Sequence, residues 1–208
     1  MMPKAAEVVR IQENVVRLWH KNEAGIASWQ DACAAIAPPK GPVEALAASI
    51  ALINTYQWHE EDKARDIGAT DALIAQIKRN IDHSNQRRVN EIEKLDLVLE
   101  DALKNKSAKG SSRVALNSET PGSMVDRISI LVLKIHHMDE QSRRKDASPA
   151  HRQKCAGKAA VMREQLVDLS GCLDQLVKDI RSRKRRFKTY YQFKMYNDPD
   201  TNPYMRAK

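Results

Sequence analysis

A regular apolar stripe near the end of the chain constrains the fold more than any other feature of the sequence. From Ala159 to Phe187, apolar side chains recur in steps of three and four residues, which is the period of one helix face. The stripe runs through Ala159, Met162, Leu166, Leu169, Leu173, Leu176, Ile180, Arg183 and Phe187, of which Arg183 alone is not apolar. This pattern predicts a helix over about 149–188 that packs at a shallow angle in an antiparallel bundle.

Helical periodicity also marks the rest of the chain, and no segment has the alternating pattern of a strand. Three further long helices are predicted over about 43–66, 71–103 and 121–144, with shorter helices near 5–21 and 28–36. Pro121 follows Thr120, a pair typical of a helix start. The predicted fold class is therefore all-α: a bundle of four long helices, with one or two short N-terminal helices packed against it.

The whole chain, 1–208, is predicted to form one helical domain. The polar, Gly- and Ser-containing segment 105–118 is expected to be a mobile loop. Residues 189–208 are expected to form an ordered, non-helical tail packed on the bundle, because the dipeptides Asp198-Pro199 and Asn202-Pro203 oppose helix continuation. Five of the ten aromatic residues lie in this tail.

Composition excludes several classes of protein. With 42% hydrophobic and 30% charged residues, the chain can bury a core and is not disordered overall. It has no apolar run of about 18 residues, so no membrane span is expected. Three cysteines without metal-site spacing and the lack of a secretory h-region predict a cytoplasmic protein.

The net charge of +8 is unevenly distributed along the chain. Residues 1–104 carry a net charge of −3 and residues 105–208 a net charge of +11. Six of the eight residues in 181–188 are basic, a run that could attract nucleic acid or simply lie in solvent at a helix end. Since no nucleic-acid-binding module is recognisable, nucleic acid is not an expected partner.

Polar side chains interrupt the apolar stripes at several positions. They are Gln57, Glu61, Asn85, Arg88, Asp96, Asp126, Arg127 and Lys134. Burying a charge without a partner costs several kcal/mol, so these groups are expected to meet each other or a ligand. A structural network would pair Arg88 with Glu61 and Arg127 with Asp96. A third interpretation is that the helices are shorter or rotated and leave these groups in water.

The ligand interpretation predicts a polar pocket between helices. Arginine suits bidentate capture of phosphate or carboxylate, and the amides of Gly122 and Ser123 open a helix, which is itself a site for anions. The candidate ligand-binding residues are Gln57, Glu61, Asn85, Arg88, Gly122, Ser123, Asp126, Arg127 and Lys134. The expected ligand is a small phosphorylated or carboxylated compound, such as a sugar or nucleotide derivative.

Clustered carboxylates suggest a second kind of site. Glu61, Asp62, Glu93 and Asp96 are candidate ligands of a divalent metal that would activate water in a hydrolase. No cofactor is otherwise required. A ferritin-like di-iron site is not expected, because no Glu-x-x-His pair lies on an inner stripe.

Several motifs resemble an uncharacterised bacterial family, domain of unknown function 4254. They are Gln57-Trp58-His59-x-Glu61-Asp62, Asn85-Gln86-Arg87, Glu119-Thr120-Pro121-Gly122-Ser123-x-x-Asp126-Arg127-x-Ser129-Ile130, and Gln192-Phe193-Lys194-Met195-Tyr196-Asn197-Asp198-Pro199-x-x-Asn202-Pro203. The resemblance spans about Val8 to Tyr204. It implies a bacterial helical protein and no established activity. Whether the protein is an enzyme stays open. The alternative is an interaction protein whose polar interior is purely structural. A homo-oligomer is compatible with either interpretation.

Overall fold

A computed structural model describes residues 2–103 and 114–206, which form a helical bundle. In this part of the chain the α-helices are α1 (Ala5–Asn22), α2 (Trp29–Ala35), α3 (Pro42–Lys63), α4 (Asp71–Ala102), α5 (Pro121–Arg143) and α6 (Pro149–Arg181). Short 3-10 turns cover Glu23–Gly25 and Met195–Asn197. The predicted all-α fold class is confirmed. The larger part of the segment predicted as a mobile loop, 105–113, lies outside the described residues.

Four of the six α-helices in the described part of the chain, α2, α4, α5 and α6, begin after a residue whose side chain accepts a hydrogen bond from a backbone N–H of the first turn. Thr70 Oγ1 accepts a hydrogen bond from Leu73 N, and Ser148 Oγ accepts one from His151 N. Thr120 and Ser123 form a reciprocal capping box at the start of α5. Because these caps are local, the starts of the long helices agree with the prediction to within one residue.

Helix α6 ends at Arg181, seven residues before the predicted end at 188. Arg183 has a φ of 58°, Lys184 N donates to Asp179 O (2.8 Å), and Arg183 N donates to Ile180 O (3.0 Å). These bonds form a Schellman motif, which terminates the helix with a left-handed residue. The chain then forms a two-residue strand, β2 (Arg185–Arg186), parallel to β1 (Ala115–Leu116). The sequence patterns did not predict these strands.

Helix α1 is part of the core rather than an addition to a four-helix bundle. It packs against both α3 and α5, and its Val8 and Val16 are buried. Helix α5 contacts α1, α3, α4 and α6 and lies at the centre of the bundle. Phe187 remains fully buried beyond the end of α6, so the last member of the apolar stripe reaches the core from the extended segment.

The tail contacts the bundle through its own first residues. Thr189 Oγ1 donates to Glu100 Oε1 (3.0 Å), and Gln192 N donates to Glu93 Oε1 (2.9 Å). Farther along, Phe193, Tyr196 and Tyr204 are exposed, so these aromatic side chains do not cover a pocket. Within the described part of the chain, no helix has both the length and the apolar character that are needed to cross a bilayer.

Candidate functional site

A buried polar network joins α3, α4 and α5. Arg88 of α4 donates from Nε to Asp126 Oδ1 (2.9 Å) and from Nη2 to Asp126 Oδ2 (2.8 Å), a bidentate pair. Asn54 of α3 donates from Nδ2 to the same Asp126 Oδ1 (2.9 Å) and to Ser129 Oγ (2.8 Å). Two helices, α3 and α4, therefore supply the partners of a single buried carboxylate on the third, α5, and its charge is compensated.

An open cleft of about 390 Å³ lies beside this network. Its walls include Gln57, Trp58 and Asp62 from α3 and Arg88 from α4. Gln57 Nε2 donates to Asn85 Oδ1 (3.1 Å). Gln57 Oε1 is a buried atom that has no hydrogen-bond partner among the described residues. The cleft thus combines an unused acceptor with a half-buried guanidinium.

The ion pairs differ from those that the sequence suggested. Glu61 pairs with Arg65 one turn away (2.6 Å), not with Arg88. Arg127 pairs with Glu119 (2.6 Å), not with Asp96. The predicted pairs Arg88–Glu61 and Arg127–Asp96 are wrong, because helix periodicity shows which face a residue occupies but not which residue of a neighbouring helix lies opposite.

Two predicted ligand-binding residues lie in a different groove. Arg127 and Lys134 line a space of about 540 Å³ between α5 and α6, together with Glu119 and Asp168. The spacing of Arg127 and Lys134 from Asp126 along α5 places their side chains on another face of that helix. The structure therefore brings together Gln57, Asn85, Arg88 and Asp126, with Glu61 at the wall of the cleft, and separates Arg127 and Lys134 from them.

The helix N-terminus that was predicted to hold an anion is satisfied within the protein. Gly122 N donates to Asp96 Oδ1 (2.7 Å), and Ser123 N donates to Thr120 Oγ1 (3.1 Å). Burial raises the pKa of Asp96 to about 6, even though its bonds with Thr120 and Gly122 favour the charged form. Asp96 thus occupies the position that a bound anion would take.

The carboxylates suggested as metal ligands do not converge. Glu61 and Asp62 line the cleft, whereas Glu93 and Asp96 line a separate pocket of about 280 Å³ beneath the tail. Among the described residues, the side-chain groups close enough to hold one cation contain none of these four. A metal-assisted hydrolase built on them has no support in this geometry.

Histidines form the cluster that the sequence patterns missed. His20 of α1, His59 of α3 and His137 of α5 lie with their rings in mutual contact, at centroid distances of 5.0–5.6 Å. One ligand atom of each lies within 4.8 Å of the others. His20 also forms a second group of this kind with His136 and Glu140. The cluster is formed where the C-terminal halves of three helices meet.

The cluster and the cleft are neighbours on α3. Trp58, which lines the cleft, stacks on His137 with a centroid distance of 4.8 Å and an interplanar angle of 8°. Asp62, also at the cleft, acts electrostatically to raise the pKa of His59 and His137, although burial lowers both overall. One stretch of α3, 57–62, therefore contributes to both features.

A comparison with models of protein families identifies the family of this chain. The model described as "Protein of unknown function (DUF4254)" matches residues 44–189, which is most of the chain. The chain belongs to the DUF4254 family. No curated protein and no solved structure matches it.

The DUF4254 match contains the whole cleft and its polar network, along with His59 and His137. His20 lies on α1 and is outside the matched region. The resemblance read from the motifs is confirmed, although the model covers a shorter stretch than the 8–204 that the motifs suggested.

The basic segment after α6 is used partly within this DUF4254 fold. Arg185 Nη1 donates to Asn117 Oδ1 (2.8 Å), and Arg186 Nε donates to Val114 O (3.3 Å). These bonds hold β2 against the segment that precedes α5. Fewer basic side chains of this run are thus free for a partner than the sequence implies.

Proposed function

We propose that the protein binds a small hydroxylated anion in the cleft between α3, α4 and α5. The observation that carries the proposal is the buried Gln57 Oε1, an acceptor without a partner among the described residues, at the wall of a cleft that Arg88 also lines. A buried acceptor left unpaired costs free energy, which a hydroxyl or amine of a ligand would recover.

Arg88 supplies the contact for the anionic group. Its Nε and Nη2 are committed to Asp126, and Nη1 has no bond to any described residue, so one N–H edge stays available. The Asp126 pair fixes the guanidinium plane, which lowers the entropy lost when a ligand binds. Burial lowers the pKa of the Lys194 amine in the tail, and the positive charge of nearby Arg88 lowers it further.

The charge balance of the cleft narrows the class of ligand. Arg65 is paired with Glu61 and Arg88 with Asp126, so the cleft offers donors rather than a large excess of positive charge. Asp62 adds a negative charge at the wall. The free edge of Arg88 can hold one carboxylate or monophosphate group of a ligand with several hydroxyls, whereas Asp62 and the absence of unpaired cations among the described residues of the cleft disfavour a polyanion such as a nucleoside triphosphate.

The test is a panel of compounds measured by thermal shift and then by isothermal titration calorimetry. The panel contains hydroxylated carboxylates, sugar monophosphates, nucleoside monophosphates and nucleoside triphosphates. At least one of the hydroxylated compounds with a single carboxylate or monophosphate group should raise the melting temperature by mass action. The triphosphates should have no comparable effect.

Two variants locate the binding site. Gln57→Met removes the free acceptor, keeps a side chain of similar length and should weaken binding of the selected compound about tenfold. Arg127→Ala changes a cation in the separate groove and should leave the affinity unchanged. Equal losses in both variants, or no stabilising compound in the panel, would mean that the polar interior serves structure alone.

A further inference from the structure

We propose that His20, His59 and His137 form a binding site for one divalent transition-metal ion of the zinc class. This inference is independent of the ligand proposed for the cleft. It rests on the convergence of three side chains from three helices, on the acceptors that face their second ring nitrogens (two hydrogen bonds and one ion-pair contact), and on buried ligand atoms that have no hydrogen-bond partner among the described residues.

The convergence brings the ligand atoms almost to the separation that a metal requires. One ligand atom of each histidine lies within 4.8 Å of the other two. Nitrogen ligands 2.0–2.1 Å from a tetrahedral zinc ion are about 3.3 Å apart, so small side-chain rotations are enough to complete the site. The three residues are far apart in sequence, and only the packing of α1, α3 and α5 brings them together.

The other ring nitrogen of each histidine faces an acceptor. His20 Nδ1 is 2.8 Å from Val16 O, His137 Nδ1 is 3.1 Å from Glu140 Oε2, and His59 Nδ1 is 3.4 Å from Glu23 Oε1. Each acceptor favours the tautomer with a proton on Nδ1 and a lone pair on Nε2. Histidine ligands in metal sites are held in this way by a carboxylate or a backbone carbonyl.

The nitrogens that carry these lone pairs make no hydrogen bond to the described residues. Nε2 of His20, His59 and His137 is buried in each case and has no hydrogen-bond partner among the described residues. A buried polar atom normally finds a partner in protein or water. These three lone pairs converge from three helices and offer one cation a common set of ligands, whereas a fourth such atom, His136 Nε2, lies 3.4 Å from Glu140 Oε1.

Aromatic stacking holds two of the rings in place. Trp19 lies on His59 with a centroid distance of 5.0 Å and an interplanar angle of 12°, and Trp58 lies on His137. Rings of fixed orientation lose little conformational freedom when they bind a metal, so the stacking prepares the site for an ion.

The type of ligand selects the type of ion. An all-imidazole set suits Zn²⁺, Co²⁺, Ni²⁺ or Cu²⁺, whereas Mg²⁺ and Ca²⁺ require oxygen ligands. Three histidines leave one position of a tetrahedral ion for water. The site also reaches the surface, since the side chains of His59 and His137 are 15% and 18% exposed.

The first experiment measures zinc binding to the full chain, produced without a polyhistidine tag and stripped with a chelator. Calorimetry should give one Zn²⁺ per chain with a dissociation constant below 1 µM, and Mg²⁺ should not compete at millimolar concentration. His59→Ala or His137→Ala should weaken binding at least 100-fold. His83→Ala is the matched control, because His83 is an exposed histidine of α4 outside the cluster.

A second measurement uses the unaltered protein, so it does not depend on the folding of any variant. X-ray absorption of the zinc-loaded chain should give a shell of nitrogen at about 2.0–2.1 Å with imidazole scattering. The proposal is overturned by absence of zinc binding, by a shell of sulfur or carboxylate ligands, or by an equal loss in His83→Ala. A loss in His136→Ala as large as that in His59→Ala would also overturn the assigned set.

The two proposals can fail separately. Gln57→Met alters the cleft and none of the three histidines, so this variant should bind zinc as tightly as the unaltered protein. Conversely, His20→Ala removes a ligand on α1, which does not line the cleft, and this variant should still bind the compound selected for the cleft, provided that circular dichroism shows unchanged helicity.

Discussion

The backbone N–H of Gly122 donates a 2.7 Å hydrogen bond to Oδ1 of Asp96, at a point where α4 and α5 touch. A Cβ at position 122 would lie 2.7 Å from that same oxygen and 2.8 Å from the backbone oxygen of Ile92. The contact therefore requires glycine, because α4 approaches the backbone of position 122 too closely for a side chain. It joins the first turn of α5 to a buried carboxylate of α4.

Gly122→Ala should destabilise the protein by roughly 1–3 kcal/mol, since a backbone oxygen cannot move aside as a flexible side chain can. Urea unfolding followed by circular dichroism measures the change. Gly157→Ala is the matched control, because a Cβ at position 157 of α6 meets nothing within 4 Å. That substitution should raise stability by about 0.5–1 kcal/mol, as expected for alanine in a helix interior.

Asp96 should make stability depend on pH in a specific direction. Burial raises its pKa to about 6 from a usual value of 3.8, so between these values the folded state holds a proton that the unfolded chain has released. The contribution of Asp96 to the free energy of unfolding is therefore greatest below about pH 4 and declines by about 3 kcal/mol as pH rises to 6.

Asp96→Asn should remove this part of the pH dependence, because the amide does not titrate and its oxygen can still accept from Gly122 N. The measurement is a series of urea unfolding curves from pH 4 to pH 7 for both proteins. If the two proteins lost stability in parallel over this range, another group would be responsible for the slope.

The bidentate pair of Arg88 and Asp126 predicts an asymmetric mutational response. The side chain of Asp126 is 7% exposed and that of Arg88 is 29% exposed. Removal of the partner therefore costs more free energy when the Asp126 carboxylate is left unpaired than when the Arg88 guanidinium is. Arg88→Ala should cost about 3–5 kcal/mol, which is typical of a buried charge left unpaired. Combining Arg88→Ala with Asp126→Asn should recover part of this loss, because no buried charge remains. A double variant less stable than Arg88→Ala alone would contradict the explanation.

Arg183 is a position where a single substitution should stabilise the protein. It has a φ of 58° in the Schellman motif that ends α6, and a residue with a Cβ is strained in this conformation. Arg183→Gly should therefore raise the free energy of unfolding by about 0.5–1 kcal/mol, seen as a higher melting temperature. Ser182→Gly, one residue earlier with a φ of −86°, should not give this gain.

The helices and most of the residues around the cleft could be predicted from the sequence because they depend on local rules. Caps such as Thr70 and Thr120 mark helix starts, and the spacing of apolar residues identifies the buried face of each helix. Gln57, Asn85, Arg88 and Asp126 interrupt those faces, and the structure brings them into one network or to its edge.

The partners of these residues were decided by tertiary structure. The axial offset and rotation of one helix against another determine that Arg88 meets Asp126 rather than Glu61, and a period of 3.6 residues contains no information on that offset. For the same reason, the patterns placed Arg127 and Lys134 with the other site residues, whereas they lie in another groove.

The sequence by itself determined an all-α bundle, the positions of its helices and the polar residues that face its interior, because hydrogen bonding and apolar periodicity within a helix are local. The early end of α6 and the histidine cluster needed the tertiary structure. His20, His59 and His137 lie on three helices that are distant in sequence, and their ring nitrogens converge only when α1 packs against α3 and α5. Convergence of this kind depends on three helix offsets at once, so no spacing along the chain could reveal it.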